Sequence, residues 1–216
     1  MKYKLAIFVM DGTILDTLED LKDSVNYSLN KFGYPQRTLS EVKSFVGNGI
    51  HKLIERAVPA GTSEEKIEEV FETMKAYYKD HCAIKTKPYD GIKEVILKLR
   101  EQGVFTAVVS NKADFAVKSL CEDYFKGLFD YSVGDKPEQR IKPYPDGVNE
   151  VLSHFGLEKS EAVYIGDSEV DYQTSVNADM DVIMVGWGFR EEDFILSCGA
   201  KFVIQKPEEI LSYMED

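Results

Sequence analysis

Four stretches of the chain are apolar without a break, and each ends abruptly in small or polar residues. Leu5 to Met10 stops at Asp11-Gly12-Thr13, and Val104 to Val109 stops at Ser110-Asn111-Lys112. Ala162 to Ile165 stops at Gly166-Asp167-Ser168, and Val182 to Val185 at Gly186-Trp187-Gly188. Such short runs, closed by turn formers, suit strands buried on both faces of a parallel sheet. Between them the apolar period changes to that of a helix. Ile92, Val95, Ile96 and Leu99 fall at i, i+3, i+4 and i+7, opened by Gly91 and closed by Gly103. Val148, Val151, Leu152 and Phe155 repeat the spacing up to Gly156. Alternation of this kind from Tyr89 onward predicts βαβ units, hence an α/β fold with a doubly wound parallel sheet. Ligands of such sheets bind beyond the carboxyl ends of the strands, which is where the polar residues fall.

Residues 16–84 read differently, with helical stripes and no convincing strand. Leu18, Leu21, Val25, Ser28, Leu29 and Phe32 form one stripe ending at Gly33. Ser63 to His81 forms another, with Ser63 as N-cap and Ile67, Val70, Phe71, Met74 and Tyr78 on one face. The pattern predicts a small all-helical domain, 16–84, inserted after the first strand of a core made of 1–15 and 85–216, and lying as a lid over the strand ends. A chain of 216 residues has room for one sizeable core and one small domain, but no more.

Composition narrows the partners. A formal net charge of -12 argues against nucleic acid, whose phosphates need a basic footprint. A small anionic substrate stays compatible, because a locally cationic pocket can reverse the field. The apolar run near the N-terminus is too short for a signal core or a membrane span. Cys82, Cys121 and Cys198 are scattered, without metal-binding or disulfide spacing, which suits a reducing cytoplasm. His51, His81 and His154 also lack ligand spacing, and the acidic stretch around Glu64 and Glu68 reads as a solvated helix face. The expected form is a cytoplasmic monomer or weak homodimer that meets a small phosphorylated metabolite and no membrane.

Four polar segments would converge at the strand ends: Val9 to Thr13, Ser110 to Lys112, Lys142 to Asp146, and Gly166 to Asp171. A lysine, a serine hydroxyl, backbone amides and carboxylates could together hold a phosphoryl group and Mg2+, which takes hard oxygen ligands. Each piece also has a plain reading. Asp11-Gly12 is a common turn pair, Lys142-Pro143 could be a surface lysine before a turn, and Asp167 could cap a helix. Ser110-Asn111 is expected to cap the following helix as well as to meet phosphate.

In order and spacing the segments resemble the haloacid dehalogenase superfamily, and the resemblance runs essentially from end to end. It implies a Rossmann-like core, a helical cap and a magnesium-dependent phosphatase. The Phe-Val-Gly-x-Gly wording at Phe45 to Gly49, and Gly186-Trp187-Gly188, resemble its phosphoglycolate phosphatase branch. By that resemblance Asp11 is the acid and base, and Thr13, Ser110, Asn111 and Lys142 bind the phosphoryl group. Lys142 neutralises charge, while Asp11, Asp167 and Asp171 serve the metal. The cap turn Gly47-Asn48-Gly49 would bear on substrate choice, although a plain inter-helix turn reads equally well. The family pattern is D-x-D-G-T, and its first Asp attacks phosphorus. That position is Val9 here. Valine has no lone pair for phosphorus and no oxygen for a metal, so little or no turnover is expected. Three accounts of Val9 stay open: an altered form of an active enzyme, a non-catalytic relative that binds a phosphorylated ligand, or attack by Asp11 with Thr13 as acid.

Overall fold

The computed structural model describes residues 2–215, which fall into two compact units. The larger takes in the chain up to Leu15 and again from Pro88 onward, and the smaller spans Asp16–Lys87.

In the larger unit the strands are β1 (Leu5–Phe8), β4 (Phe105–Ala113), β5 (Tyr131–Asp135), β6 (Ala162–Gly166), β7 (Asp181–Val185) and β8 (Val203–Ile204). They form one sheet in the order β5-β4-β1-β6-β7-β8, with parallel pairing throughout. Its helices are α5 (Ile92–Glu101), α6 (Asp114–Phe125), α7 (Asp146–Phe155), α8 (Glu169–Ala178), α9 (Glu192–Ser197) and α10 (Glu209–Glu215). The short strands β2 (Leu15–Asp16) and β3 (Lys87–Pro88) carry the chain out of this unit and back.

The register sets the active edge. Phe8 pairs with Val108 on one side and Ile165 on the other, so β1, β4 and β6 run out of apolar residues at the same level. Alternation along β1 sends Ala6, Phe8 and Met10 into the core against α5 and α10, beside Ile92, Ile96, Ile210 and Met214. Leu5, Ile7 and Val9 go to the other face with Val109, Val133, Val148 and Val151. Val9 is therefore a core residue as well as a strand-end residue, and its amide donates to Ile165 O at 2.9 Å.

Two strands of this six-stranded sheet are absent from the sequence prediction. Both β5 and β8 lie at the edges of the sheet. Tyr131-Ser132-Val133-Gly134-Asp135 mixes apolar and polar positions, and β8 has only two residues, so neither gives a continuous apolar run. The second strand of the prediction, Val104 to Val109, runs on to Ala113, because residues 110–113 stay extended past an irregularity in the pairing with β5.

The smaller unit contains α1 (Leu18–Lys31), α2 (Leu39–Phe45), α3 (Gly49–Ala57) and α4 (Glu64–His81). Ser63 caps α4 through Lys66 N, and Thr38 with Glu41 closes a reciprocal box at the start of α2. Asp20, buried on α1, accepts from Lys85 N at 3.0 and 2.9 Å and from Thr86 N and Oγ1, each at 2.8 Å. This carboxylate ties residues 85–86 to α1. That is why the return to the larger unit falls after Lys87, three residues later than the 84/85 boundary expected from the sequence.

Asp20→Ala would leave the Lys85 amide and the buried donors of Thr86 without their acceptor, at a cost on the order of 3 kcal/mol. The expected outcome is a lower urea midpoint together with faster amide exchange at those two residues. Unchanged protection there would show that Asp20 is not what holds the return segment.

Candidate active site

The turn after β1 folds back on one carbonyl. Met10 O accepts from Thr13, Ile14 and Leu15 amides at 3.3, 3.0 and 3.0 Å. Gly12 sits in the middle at φ +81, and a Cβ there would lie 2.3 Å from Asp167 Oδ2. Only glycine satisfies both the turn and the close approach of Asp167. Thr13, fully buried, donates its hydroxyl to Asp167 Oδ1 at 2.9 Å. Asp11 lies beside the buried ammonium of Lys112, with 3.2 Å between Asp11 Oδ1 and Lys112 Nζ. That carboxylate oxygen has no hydrogen-bond partner although it is itself buried.

The end of β4 divides its residues between two tasks. Ser110 and Lys112 are buried, and Ser110 Oγ accepts from Lys112 N at 3.2 Å. Asn111 reaches the segment before α7 instead. Its Oδ1 accepts from Lys142 N at 2.7 Å, and its Nδ2 donates to Lys142 O at 3.1 Å. With its backbone held on both sides, buried Lys142 extends Nζ to within 2.6 Å of Asp171 Oδ1.

Asp171 opens α8 from within. Its second oxygen accepts from Ser168 Oγ at 2.7 Å, Ser168 N at 3.0 Å and Asp167 N at 3.2 Å. A carboxylate at a helix start suits both the unpaired amides and the positive end of the dipole. Asp167 then has its second oxygen closed by Phe189 N at 2.8 Å. Burial, and after it the charge of Asp171, push the Asp167 carboxyl up to about 7, against the donors from Phe189 and Thr13.

No structural task was expected of the loop after β7, yet this loop closes the site. Trp187 Nε1 donates to Thr13 O at 3.0 Å, and Arg190 grips Glu169 through Nε and Nη2 at 2.7 and 3.1 Å. A Cβ on Gly188 would meet Asp167 Cβ and Gly12 O, each at 2.4 Å, so this glycine is wedged between two of the functional turns. Lys112 is the other residue without an assigned role. It carries no sequence signal of its own, because its burial follows from the continuation of β4 through Ser110-Asn111-Lys112.

The structure brings Asp11, Thr13, Ser110, Lys112, Lys142, Asp167 and Asp171 to one edge, but it corrects several expected roles. Thr13 spends its hydroxyl on Asp167, so its side chain is neither a phosphate donor nor an acid for a reaction led by Asp11. Asn111 is a backbone clamp for Lys142 rather than a phosphate ligand. Ser110-Asn111 does not cap α6, which begins after Ala113 without a side-chain cap. Asp171 has both oxygens engaged and orients Lys142.

The metal assignment changes as well. Among the described residues no three Asp, Glu, His or Cys side chains gather as a ligand group, so Asp11, Asp167 and Asp171 do not make a metal set. Asp11 faces an ammonium, Asp171 is closed by Lys142 and the start of α8, and position 9 offers an isopropyl group. These residues do not fit a resident magnesium ion.

In the smaller unit Gly47, Asn48 and Gly49 form the turn between α2 and α3, with the glycines at φ +125 and +80. Asn48 does not cap α3 with its side chain. Arg56 Nη2 donates to Asn48 Oδ1 at 2.9 Å and Nη1 to Phe45 O at 2.6 Å, which fixes the turn.

Comparison with known proteins agrees with this geometry. A family model described as haloacid dehalogenase-like hydrolase matches residues 6–185. The phosphoglycolate phosphatase of Pseudomonas savastanoi pv. phaseolicola is 31% identical over 194 residues, covering 87% of this chain and 71% of its own length. That of Haemophilus influenzae is 28% identical over 221 residues, covering 99% of both. A crystal structure from Lactobacillus delbrueckii subsp. bulgaricus, of a protein with proposed phosphoglycolate phosphatase activity, superposes with a TM-score of 0.95 at 38% identity, covering 99% of each chain.

The raised Asp167 carboxyl has a stability consequence. Between the ordinary value near 3.8 and about 7 the folded state holds a proton that the unfolded state has lost, so this group's contribution declines as pH rises through that window. Asp167→Asn removes the titration. Its stability relative to the parent should therefore climb from pH 4 to pH 7.5 in urea unfolding, and a flat difference would contradict the assignment.

Proposed function

Because the chain belongs to the haloacid dehalogenase-like hydrolase family, we propose that its strand-end site is built to hydrolyse a small phosphate monoester, and that Val9 leaves the chain as written nearly inactive. One observation carries the reading. Lys142–Asp171–Ser168, Thr13–Asp167 and Asp11–Lys112 are each assembled at the strand ends, every member but the half-buried Asp11 enclosed, where position 9 presents only a valine. Coupled buried polar groups of this kind are costly unless every partner is present.

The phosphoglycolate phosphatases among the relatives make 2-phosphoglycolate the first substrate to try. In the reaction of the family, a carboxylate at position 9 attacks phosphorus, and Asp11 gives a proton to the departing ester oxygen. Water then attacks the aspartyl-phosphate with Asp11 as base. Ser110 would donate to a phosphoryl oxygen. Lys142, held by Asn111 and aimed by Asp171, would offset its charge. Magnesium dependence belongs to a form with a carboxylate at position 9, since that residue would supply the missing oxygen. An acidic composition fits a monomer or weak homodimer acting on a small metabolite in the cytoplasm, and no described helix is long and apolar enough to cross a membrane.

Val9 also favours a second reading. It packs into a complete apolar cluster with Ile7, Val109 and Val133, as a settled core residue would. A chain of this kind could retain phosphoester binding without turnover. The two readings part on one substitution.

Val9→Asp, assayed with magnesium on 2-phosphoglycolate and on an aryl phosphate, should release inorganic phosphate about a thousandfold faster than the parent, or more. Chelation should abolish the gain. Equal, appreciable turnover by the parent would refute this division of roles. An inactive Val9→Asp form, with the parent binding a phosphomonoester, would establish the binding protein instead.

A further inference from the structure

We propose that Tyr164 is a positioning residue for a carboxylate at position 9, its hydroxyl being the donor that Val9 leaves without an acceptor. The inference rests on the reading above, in which position 9 is the place of the nucleophile.

Tyr164, on β6, is fully buried, and its hydroxyl meets no hydrogen-bond partner among the described residues. A buried phenol is ordinarily paired, because an unmade bond costs the full desolvation of its donor. Two carboxylates stand close enough to act on it. Burial, and after it the charges of Asp171 and Asp167, push the Tyr164 hydroxyl well above the ordinary phenol range. Both carboxylates follow Gly166, the last residue of β6, so the hydroxyl is turned toward the active edge. Yet neither accepts from it. Asp171 spends its oxygens on Lys142 Nζ, on Ser168 and on Asp167 N, and Asp167 spends its own on Thr13 and Phe189. The donor is left for a third acceptor.

Strand pairing points to where that acceptor belongs. Ile7 pairs with Tyr164 and Phe8 with Ile165, and Val9 N donates to Ile165 O at 2.9 Å, which puts Val9 beside Gly166. Leu5, Ile7 and Val9 share one face of the sheet and one apolar cluster with Tyr164. Gly166 has no side chain to set between them, and diagonal neighbours on adjacent strands lie within reach of an aromatic side chain. Position 9 is therefore the next place along β1 on the face that Tyr164 occupies, in the direction its hydroxyl takes. Valine offers that hydroxyl no lone pair. A carboxylate would accept from it, have one oxygen held, and keep the other for phosphorus. A neutral donor also eases one more negative charge at this edge without adding a cation.

A double-mutant cycle on stability tests this without any turnover. In the chain as written, Tyr164→Phe removes an unpaired donor and should leave the urea unfolding constant little changed or lower. In the Val9→Asp form the same change should raise that constant on the order of tenfold or more, as for a lost hydrogen bond to a charged group. Val9→Asn, whose amide oxygen also accepts, should show a smaller coupling of the same sign, and it serves if the aspartate form does not fold. Val9→Ala, which offers no acceptor, should show none. In the Val9→Asp form, Tyr164→Phe should also lower kcat on the order of tenfold for 2-phosphoglycolate with KM little changed. An equal effect of Tyr164→Phe in every background, or a coupling with alanine as large as with aspartate, would overturn the proposal and leave Tyr164 as core packing. If Val9→Asp releases no phosphate but the stability coupling appears, the hydrolytic reading fails while the assignment of the donor stands.

Discussion

Two buried lysines, each closed against a carboxylate, are the constraint on which the rest of this edge depends. An ion pair taken out of water recovers its desolvation only when geometry is good and the remaining oxygens find donors. Lys142–Asp171 meets that condition at 2.6 Å with three further donors on the carboxylate. Asp167 lies between this pair and the first turn, and its charge is opposed by burial and by Asp171. The glycines at 12 and 188 follow from this crowding, since a Cβ at either would occupy space taken by Asp167. What looks like loop composition in the sequence is clearance for a carboxylate.

Sheet register makes the crowding possible. With β1 in the middle of the order and its partners level at Phe8, the polar turns after β1, β4 and β6 have no choice but to meet. The Lys142 segment is not on a strand, and it joins only because Asn111 holds its amide and carbonyl. The site is thus part topology, part clamp. The loop after β7 adds a third element, pinned by Trp187 to the Thr13 carbonyl and by Phe189 to Asp167.

How far all this was legible in the sequence follows the same physics. Central strands and amphipathic helices announce themselves, because burial on two faces or one leaves a period in the residue types. Edge strands β5 and β8 left none. The positions of Asp11, Ser110, Lys142 and Asp167 followed from strand ends and family likeness, but their division of labour did not. Whether Thr13 and Asn111 face a ligand or a neighbour depends on partners more than thirty positions away, the Asp167 carboxylate and the Lys142 backbone. No local pattern encodes that. Lys112 was hidden for the opposite reason: a lysine in a polar segment looks solvated until the strand is seen to continue through it.

Valine at position 9 can be weighed with the same charges. The formal count at this edge is three carboxylates, Asp11, Asp167 and Asp171, against two lysines. A fourth carboxylate at position 9 would double the excess, within a region where burial, and after it the charge of Asp171, already push the Asp167 carboxyl up to about 7. A divalent cation cancels an excess of that size, so the demand for a metal arises from position 9 itself. On the proposed reading, an apolar residue there gives up the nucleophile and the charge that calls for the metal in one step. The strand gains a side chain that continues the apolar face of Leu5 and Ile7. The loss of chemistry proposed for Val9 and its ease of folding therefore point the same way, as expected when a catalytic group is held at some cost to stability.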